Sequence, residues 1–380
     1  MISVAATALL ALLLGWALGG QALLGRIDPA LVFPWLFVPL FLLACRERKS
    51  GRRRRWRMLL LAIAVLLAGQ ALLAFTLAGR TDWLQPGLQL GLVAVGAVFA
   101  ALLADWLAQK GHSRWRWAGG ALLSLVWLIA GQALLALLYA PLPPSTTAPP
   151  MTMATALPLR WAGGDGDLAD MLRTGAADAP ALARLEKWGP VRLVDNLANL
   201  SPPGSLLLAH PRALAPDELV AVDAFVRGGG RAVILADALS SWPPRHPLGN
   251  PRNPPVTSLL TPLLDHWQIE LGAAPQGEGE RKADANERRL RLFSAGGFTN
   301  FPSACRSYAE RRILHCSIGR GEAWLVGDAD LLFAPLWQPL VPGAAHLRRA
   351  DTMEWLAALL WGEAAARAPL TPLWISARSS

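Results

Sequence analysis

The 380-residue chain is 53% apolar and only 17% charged, with a formal net charge of +9, whereas an average soluble protein is about 25% charged. Residues 1–140 carry 13 Lys/Arg against 4 Asp/Glu, and residues 141–380 carry 23 of each, so the basic excess sits wholly in the apolar part. This excludes a purely soluble protein, and it excludes a nucleic-acid binder, which needs basic residues on a folded soluble face.

Five uncharged apolar runs come first: 2–25, 30–45, 58–79, 87–104 (a span extending to about 108) and 117–140. Crossing the hydrocarbon core takes about 20 helical residues. The second run is short and holds Pro34 and Pro39, but its neighbours require it to cross. The loop 46–57 (RERKSGRRRRWR) holds eight basic residues and one acid, and 109–116 holds Lys110, Arg114 and Arg116. The alternate loops hold only Arg26 with Asp28 and Arg80 with Asp82. Basic loops stay cytoplasmic, which predicts an inner-membrane protein of five spans, its N-terminus inside and everything after Ala140 in the periplasm. Trp56, Trp83, Trp106, Trp115 and Trp117 fall at span ends, where an amphipathic ring suits the headgroup layer. The first run lacks the basic region of a cleaved signal peptide.

GQALL recurs at 20–24, 69–73 and 131–135, Arg-Trp-Arg at 55–57 and 114–116, and Gly25–Asp28 has a counterpart in Gly79–Asp82. The pattern reads as two and a half copies of a two-helix hairpin. Each copy sets a glutamine (Gln21, Gln70, Gln132) beside small residues, the composition of a polar contact between membrane helices. No span has a charge at its centre, which argues against autonomous ion-coupled pumping.

Residues 141–158 contain six prolines and no charge, and read as a stiff linker. Residues 159–380 are long enough for one α/β domain with a real core. Val191–Val194, Ser205–Ala209, Ala232–Ala236 and Ala323–Val326 read as buried parallel strands. A helix is predicted over Pro216–Arg227, with proline at its first position, Asp217 and Glu218 at the positive end of its dipole, and Gly228 to stop it. A last helix near 352–363 has Asp351 and Glu354 as a capping box. Alternating strands and helices imply a doubly wound, mostly parallel sheet. Each buried strand ends in a polar residue: Asp195, His210, Asp237, and Asp328 with Asp330. Ligands of open α/β sheets bind beyond the carboxyl ends of strands, so these five are the candidate binding residues, although short polar residues there also cap turns.

The segment 204–238 (GSLLLAHPRALAPDELVAVDAFVRGGGRAVILADA) resembles the auxiliary extracytoplasmic domain of gliding-motility-type (GldG-like) ABC transport systems. That domain is related to bacterial membrane-anchored proteins with a glutamine-amidotransferase-like fold. The resemblance continues in Pro262–Gly272 (PLLDHWQIELG) and Gly319–Leu332 (GRGEAWLVGDADLL), covering most of 157–362 and none of the helical region. Ala238 stands where the family often has proline and Gln268 where it often has glycine; no anchor follows the domain, since 363–380 are short and polar. The resemblance implies a non-ATPase component that works with separate ATPase and membrane subunits.

Catalytic motifs are lacking. Cys45 lies in a span, and no cysteine sits on a strand-to-helix turn between small residues as an amidotransferase nucleophile needs. A hairpin centred on Glu310-Arg311 sets Cys305 opposite Cys316, within disulfide reach, and an oxidising compartment favours the bond. There is no G-x-S-x-G elbow and no G-x-x-x-x-G-K-[ST] phosphate loop. The glycines 228–230 run from helix to strand, the reverse of a phosphate cradle. The six histidines have no metal-ligand spacing, and Gly163–Asp167 reads as a surface turn rather than a calcium loop. No cofactor and no metal is expected. The chain reads as a non-catalytic membrane component, with a hydrolase, a ligand sensor or an inert scaffold as alternatives.

Overall fold

The structure is a computed structural model that describes residues 2–79, 84–108, 114–142, 148–160, 177–247 and 249–376. The loop residues Arg80, Asp82 and Lys110 and the turn at 163–167 lie outside the described residues. The chain forms two compact units, one of residues 1–140, 339–348 and 368–380, the other of 141–338 and 349–367.

The helical unit comprises α1 (Ile2–Ala17), α2 (Gln21–Leu24), α3 (Phe33–Arg46), α4 (Arg52–Ala78), α5 (Leu84–Leu107) and α6 (Arg114–Leu138). Four stretches are long and apolar enough to cross a membrane: Pro29–Ser50, Arg52–Ala78, Leu84–Leu107 and Ala118–Leu138. The first apolar run departs from the expectation of one continuous span. It breaks at Leu18–Gly20, where Gly20 takes φ 76° and a single turn, α2, follows. α1 alone is 16 residues, or about 24 Å at 1.5 Å per residue. The second run is longer than its composition suggested. One-turn 3₁₀ segments, Pro29–Val32 and Glu47–Ser50, extend α3 at both ends, and Pro34 sits in its first turn where no amide hydrogen is missed. Helix α3 is the most enclosed span, packed on α1 and α5. Phe37 packs tilted against the stacked pair Phe99 and Trp127, with ring centroids 5.3–5.8 Å apart.

Two segments from late in the sequence belong to this unit and seal one end of the helices. Ile27 N donates to Leu373 O (2.9 Å), Ile375 N to Gly25 O (3.0 Å), Ser376 N to Leu77 O (2.9 Å) and Leu370 N to Leu138 O (2.9 Å). Gln85 Nε2 donates to Thr371 O at 2.6 Å. Assigning all of 159–380 to one outer domain therefore misses 339–348 and 368–376, which complete the backbone hydrogen bonding of the helix ends.

The α/β unit is built on a seven-stranded sheet of order β2-β1-β3-β4-β11-β10-β9. Its strands are β1 (Met151–Thr155), β2 (Val191–Leu193), β3 (Ser205–Ala209), β4 (Arg231–Leu235), β9 (Cys305–Tyr308), β10 (Ile313–Ile318) and β11 (Gly321–Val326). The first five in this order are parallel, and β10 is antiparallel to both of its neighbours, β11 and β9. The intervening β5 (Glu270–Gly272) pairs with β8 (Gly297–Asn300), and β6 (Glu280–Ala285) with β7 (Arg288–Phe293). Strand β1 corrects the linker reading: Met-Thr-Met-Ala-Thr has the period of a strand, Met151 and Met153 are fully buried, and no proline falls within it.

Successive residues of the parallel strands point to opposite faces, and both faces are apolar because helices cover both. Leu207, Val233, Leu235 and Val326 join Leu182 and Leu185 of α7 (Pro180–Leu185) and Trp355 and Leu356 of α11 (Thr352–Trp361). Leu206, Leu208, Ile234 and Leu325 meet Val222, Phe225 and Val226 of α8 (Pro216–Arg227) and Leu263 and Leu264 of α9 (Thr261–His266). The short α10 (Ala334–Trp337) completes the set.

Helix α8 spans the expected residues. Glu218 accepts from Ala215 N (2.7 Å) and Leu197 N (2.9 Å), tying the helix start to the loop after β2. Gly229, at φ 109°, turns the chain toward β4. The capping box of α11 is not formed as expected: Asp351 makes no side-chain cap hydrogen bond, and Glu354 pairs with Arg184 at 3.1 Å.

Candidate functional site

Strands β3, β4 and β11 are adjacent and parallel, so their carboxyl ends lie on one edge. His210 follows β3, Asp237 comes two residues after β4, and Asp328 and Asp330 follow β11. The three aspartates are buried and each places a carboxylate oxygen within 4.8 Å of the others. Each also accepts hydrogen bonds that staple loops. Asp237 accepts from Leu239 N (3.0 Å) and Ala329 N (3.2 Å). Asp328 accepts from Phe293 N (2.8 Å) and Leu331 N (3.2 Å). Asp330 accepts from Ser240 Oγ (3.0 Å) and Ser241 N (2.6 Å).

Burial and mutual repulsion act against these bonds. Asp237 is pushed up to about 7, first by burial and then by the charge of Asp330. Asp328 is held well above the carboxylate range by burial and by its two acidic neighbours, and burial raises Asp330. Three carboxylates this close cannot all ionise without a counter-charge. The cluster can retain protons near neutrality, and its oxygens are the donors that could hold a hard cation. His210 is fully buried; its Nε2 lies 2.7 Å from Pro255 O, its Nδ1 has no hydrogen-bond partner among the described residues, and burial lowers its pKa.

Asp195 is not brought to this cluster. It follows β2, the outer edge strand, three strand spacings from β4 in the sheet order, or about 14 Å at about 4.8 Å each, and it is exposed. Asp237 also lines a cavity of about 340 Å³ with Thr257, Ser258, Thr261, Asp265 and Glu270 around an apolar floor of Leu264, Ile269 and Leu271. Apart from Asp237, sequence reasoning missed these residues. Their signal was the hydroxyl run at 257–261 directly after the proline-rich loop, with two acids following within ten residues.

Cys305 and Cys316 face each other across β9 and β10 and are joined, with sulfurs 1.98 Å apart. In the helical unit the three glutamines have different fates. Gln21 Nε2 donates to Asp28 O (3.2 Å), and Gln132 Oε1 lies 2.8 Å from His346 Nε2. Gln70 is buried with neither amide atom partnered among the described residues.

No protein-family model and no curated protein matches the chain. Solved structures that resemble it include the exo-β-1,4-mannosidase Op5Man5 from Opitutaceae bacterium strain TAV5, at 12% identity and a TM-score of 0.35, covering 66% of this chain and 40% of that one. The β-galactosidase from Bacillus circulans sp. alkalophilus matches at 14% identity and a TM-score of 0.28, covering 54% of this chain and 32% of that one. That from the Antarctic haloarchaeon Halorubrum lacusprofundi matches at 14% and 0.29, covering 56% and 32%. The chain thus spans 40% or less of the length of each of these three structures.

Proposed function

We propose that the chain is a non-catalytic component of a bacterial inner membrane that binds a partner or ligand at the carboxyl edge of its parallel sheet, as an accessory subunit of an ABC-type transport system. The observation that carries the binding site is the cavity of about 340 Å³ that reaches buried Asp237. Its hydroxyl- and carboxylate-bearing mouth over an apolar floor suits a ligand group that donates hydrogen bonds. The accessory role rests on the resemblance of 157–362 to the auxiliary domain of such transporters, and the partners it implies are a separate ATPase and membrane subunits.

In this reading the N-terminus is cytoplasmic, α1 with α2 makes the first of five crossings, and the α/β unit is periplasmic. The arginine-rich 46–57 loop supports that orientation. Within the helical unit, 339–348 and 368–376 pack at the helix ends opposite that loop.

Isolation of the full chain in mild detergent tests the role. A co-purifying ATPase is expected; a reproducible monomer without one overturns it. The double variant Asp265→Ala, Glu270→Ala changes two exposed residues at the cavity mouth and is expected to lower partner recovery several-fold. Undiminished recovery would remove the site while leaving the accessory role standing.

A further inference from the structure

The opposite end of the helical unit carries a cleft. Helix α4 and the 3₁₀ turn before it present Arg48, Arg52, Arg55 and Trp56 to a cleft whose other wall is Val98, Ala101, Leu102 and Asp105 of α5; its volume is about 580 Å³. The α5 residues recur at intervals of three, four and seven, one stripe of a helix. Arg55 makes a two-pronged pair with Asp105, at 2.7 and 2.9 Å. Arg48 Nε lies 3.8 Å from the same carboxylate, while Arg52 is exposed and has no ion pair among the described residues. Three guanidiniums against one carboxylate leave two positive charges at the mouth. Below them Val98 and Leu102 are 45% and 63% exposed, so the cleft is cationic at one end and open and apolar along its length.

We propose that this cleft binds one anionic phospholipid of the cytoplasmic leaflet, its phosphate held by Arg48 and Arg52 with Arg55 behind, its glycerol at Trp56 and one acyl chain along Val98 and Leu102. A soluble phosphate would use the guanidiniums alone and leave the apolar wall without a purpose. A basic pocket between membrane helices at their cytoplasmic end suits a lipid headgroup, and the indole marks the same interfacial depth. The inference rests on the membrane reading of α4 and α5, and it is independent of the binding site on the α/β unit.

Native mass spectrometry of the full-length protein in neutral detergent tests it, with short-chain phosphatidylglycerol, phosphatidylcholine of the same chain length and inorganic phosphate as probes. One saturable phosphatidylglycerol adduct is expected, with phosphatidylcholine about 10-fold weaker or more and no competition from millimolar phosphate. Arg48→Ala with Arg52→Ala should cut occupancy about 10-fold, since each basic residue near an anionic headgroup is worth several-fold. Arg53→Ala with Arg57→Ala, outside the cleft, should leave it nearly unchanged. Leu102→Trp, which fills the apolar half, should weaken the lipid and keep both arginines. Equal loss from the two arginine pairs would mean diffuse attraction to the loop and overturn the site. Competition by phosphate, or equal binding of phosphatidylcholine, would overturn the assignment of the occupant. A cysteine added to the arginine-rich loop, Ser50→Cys in a Cys45→Ala background, should be protected from an impermeant maleimide in spheroplasts; this reports the orientation separately, so a failed topology is distinguishable from a failed site.

Discussion

His346 Nε2 lies 2.8 Å from Gln132 Oε1 across a sequence separation of 214 residues, and this bond helps to fasten a late loop to the last long helix. Arg26 Nη1 donates to the His346 carbonyl at 2.6 Å, Arg26 and Asp28 form a buried ion pair, and Arg348 Nη1 donates to Tyr139 O at 3.0 Å. Burial, and then the charge of Arg26, holds the imidazole down at about 4. Between about 4 and the ordinary histidine value near 6.5, the unfolded chain takes up a proton that the folded chain refuses. Stability contributed here is complete above about 6.5 and is lost as pH falls toward 4. Thermal unfolding in detergent should show a midpoint that falls across this window, and His346→Gln should flatten the fall.

The aspartate cluster predicts the opposite slope. With Asp237 pushed up to about 7, the folded chain keeps a proton that the unfolded one releases between about 4 and 7. Stability from this residue falls as pH rises through that range. Asp330→Asn removes a neighbouring charge and should reduce the slope, visible as a smaller loss of midpoint between pH 5 and 7.5. The same variant weakens the bonds to Ser240 and Ser241, which should speed proteolysis within 240–257; unchanged cleavage would mean that the loop is held by other contacts.

Gln268 sits just beyond α9 at φ 58°, its amide bonded to Asp265 O at 2.9 Å. A left-handed backbone costs a side-chain-bearing residue about 1 kcal/mol. Gln268→Gly should therefore stabilise the protein by up to about 1 kcal/mol, read as a rise in thermal midpoint.

Among three cysteines, Cys45 is free and Cys305 is joined to Cys316. Denatured protein should titrate one thiol without reductant and three after reduction. Replacing both bonded cysteines by serine should cost about 2–3 kcal/mol, the usual worth of a bond closing a short loop.

Much of this architecture was legible in local pattern. The helix Pro216–Arg227 was marked by its own ends, and the apolar strands β3, β4 and β11 by their length. Pairing of Cys305 with Cys316 followed from hairpin geometry alone. Other elements were not legible. Strand β1 hid behind prolines because its five uncharged residues follow directly on Pro149 and Pro150 and read as part of the same stretch. The capping box at Asp351 failed because its backbone N–H donates to Arg289 O while Glu354 pairs with Arg184, both partners being distant in sequence.

By itself the amino-acid sequence determined an apolar helical region followed by a mostly parallel α/β unit, since hydrophobic period and run length are local properties. It also determined that acidic residues follow β2, β4 and β11. Tertiary structure alone decided which of those acids meet. Strand order put β4 beside β11 and left Asp195 on the far edge, because adjacency in a sheet is set by pairing rather than by order along the chain. Tertiary structure also decided that 339–348 and 368–376 return to the helical unit, where the unsatisfied backbone of helix ends found partners that no local pattern announces.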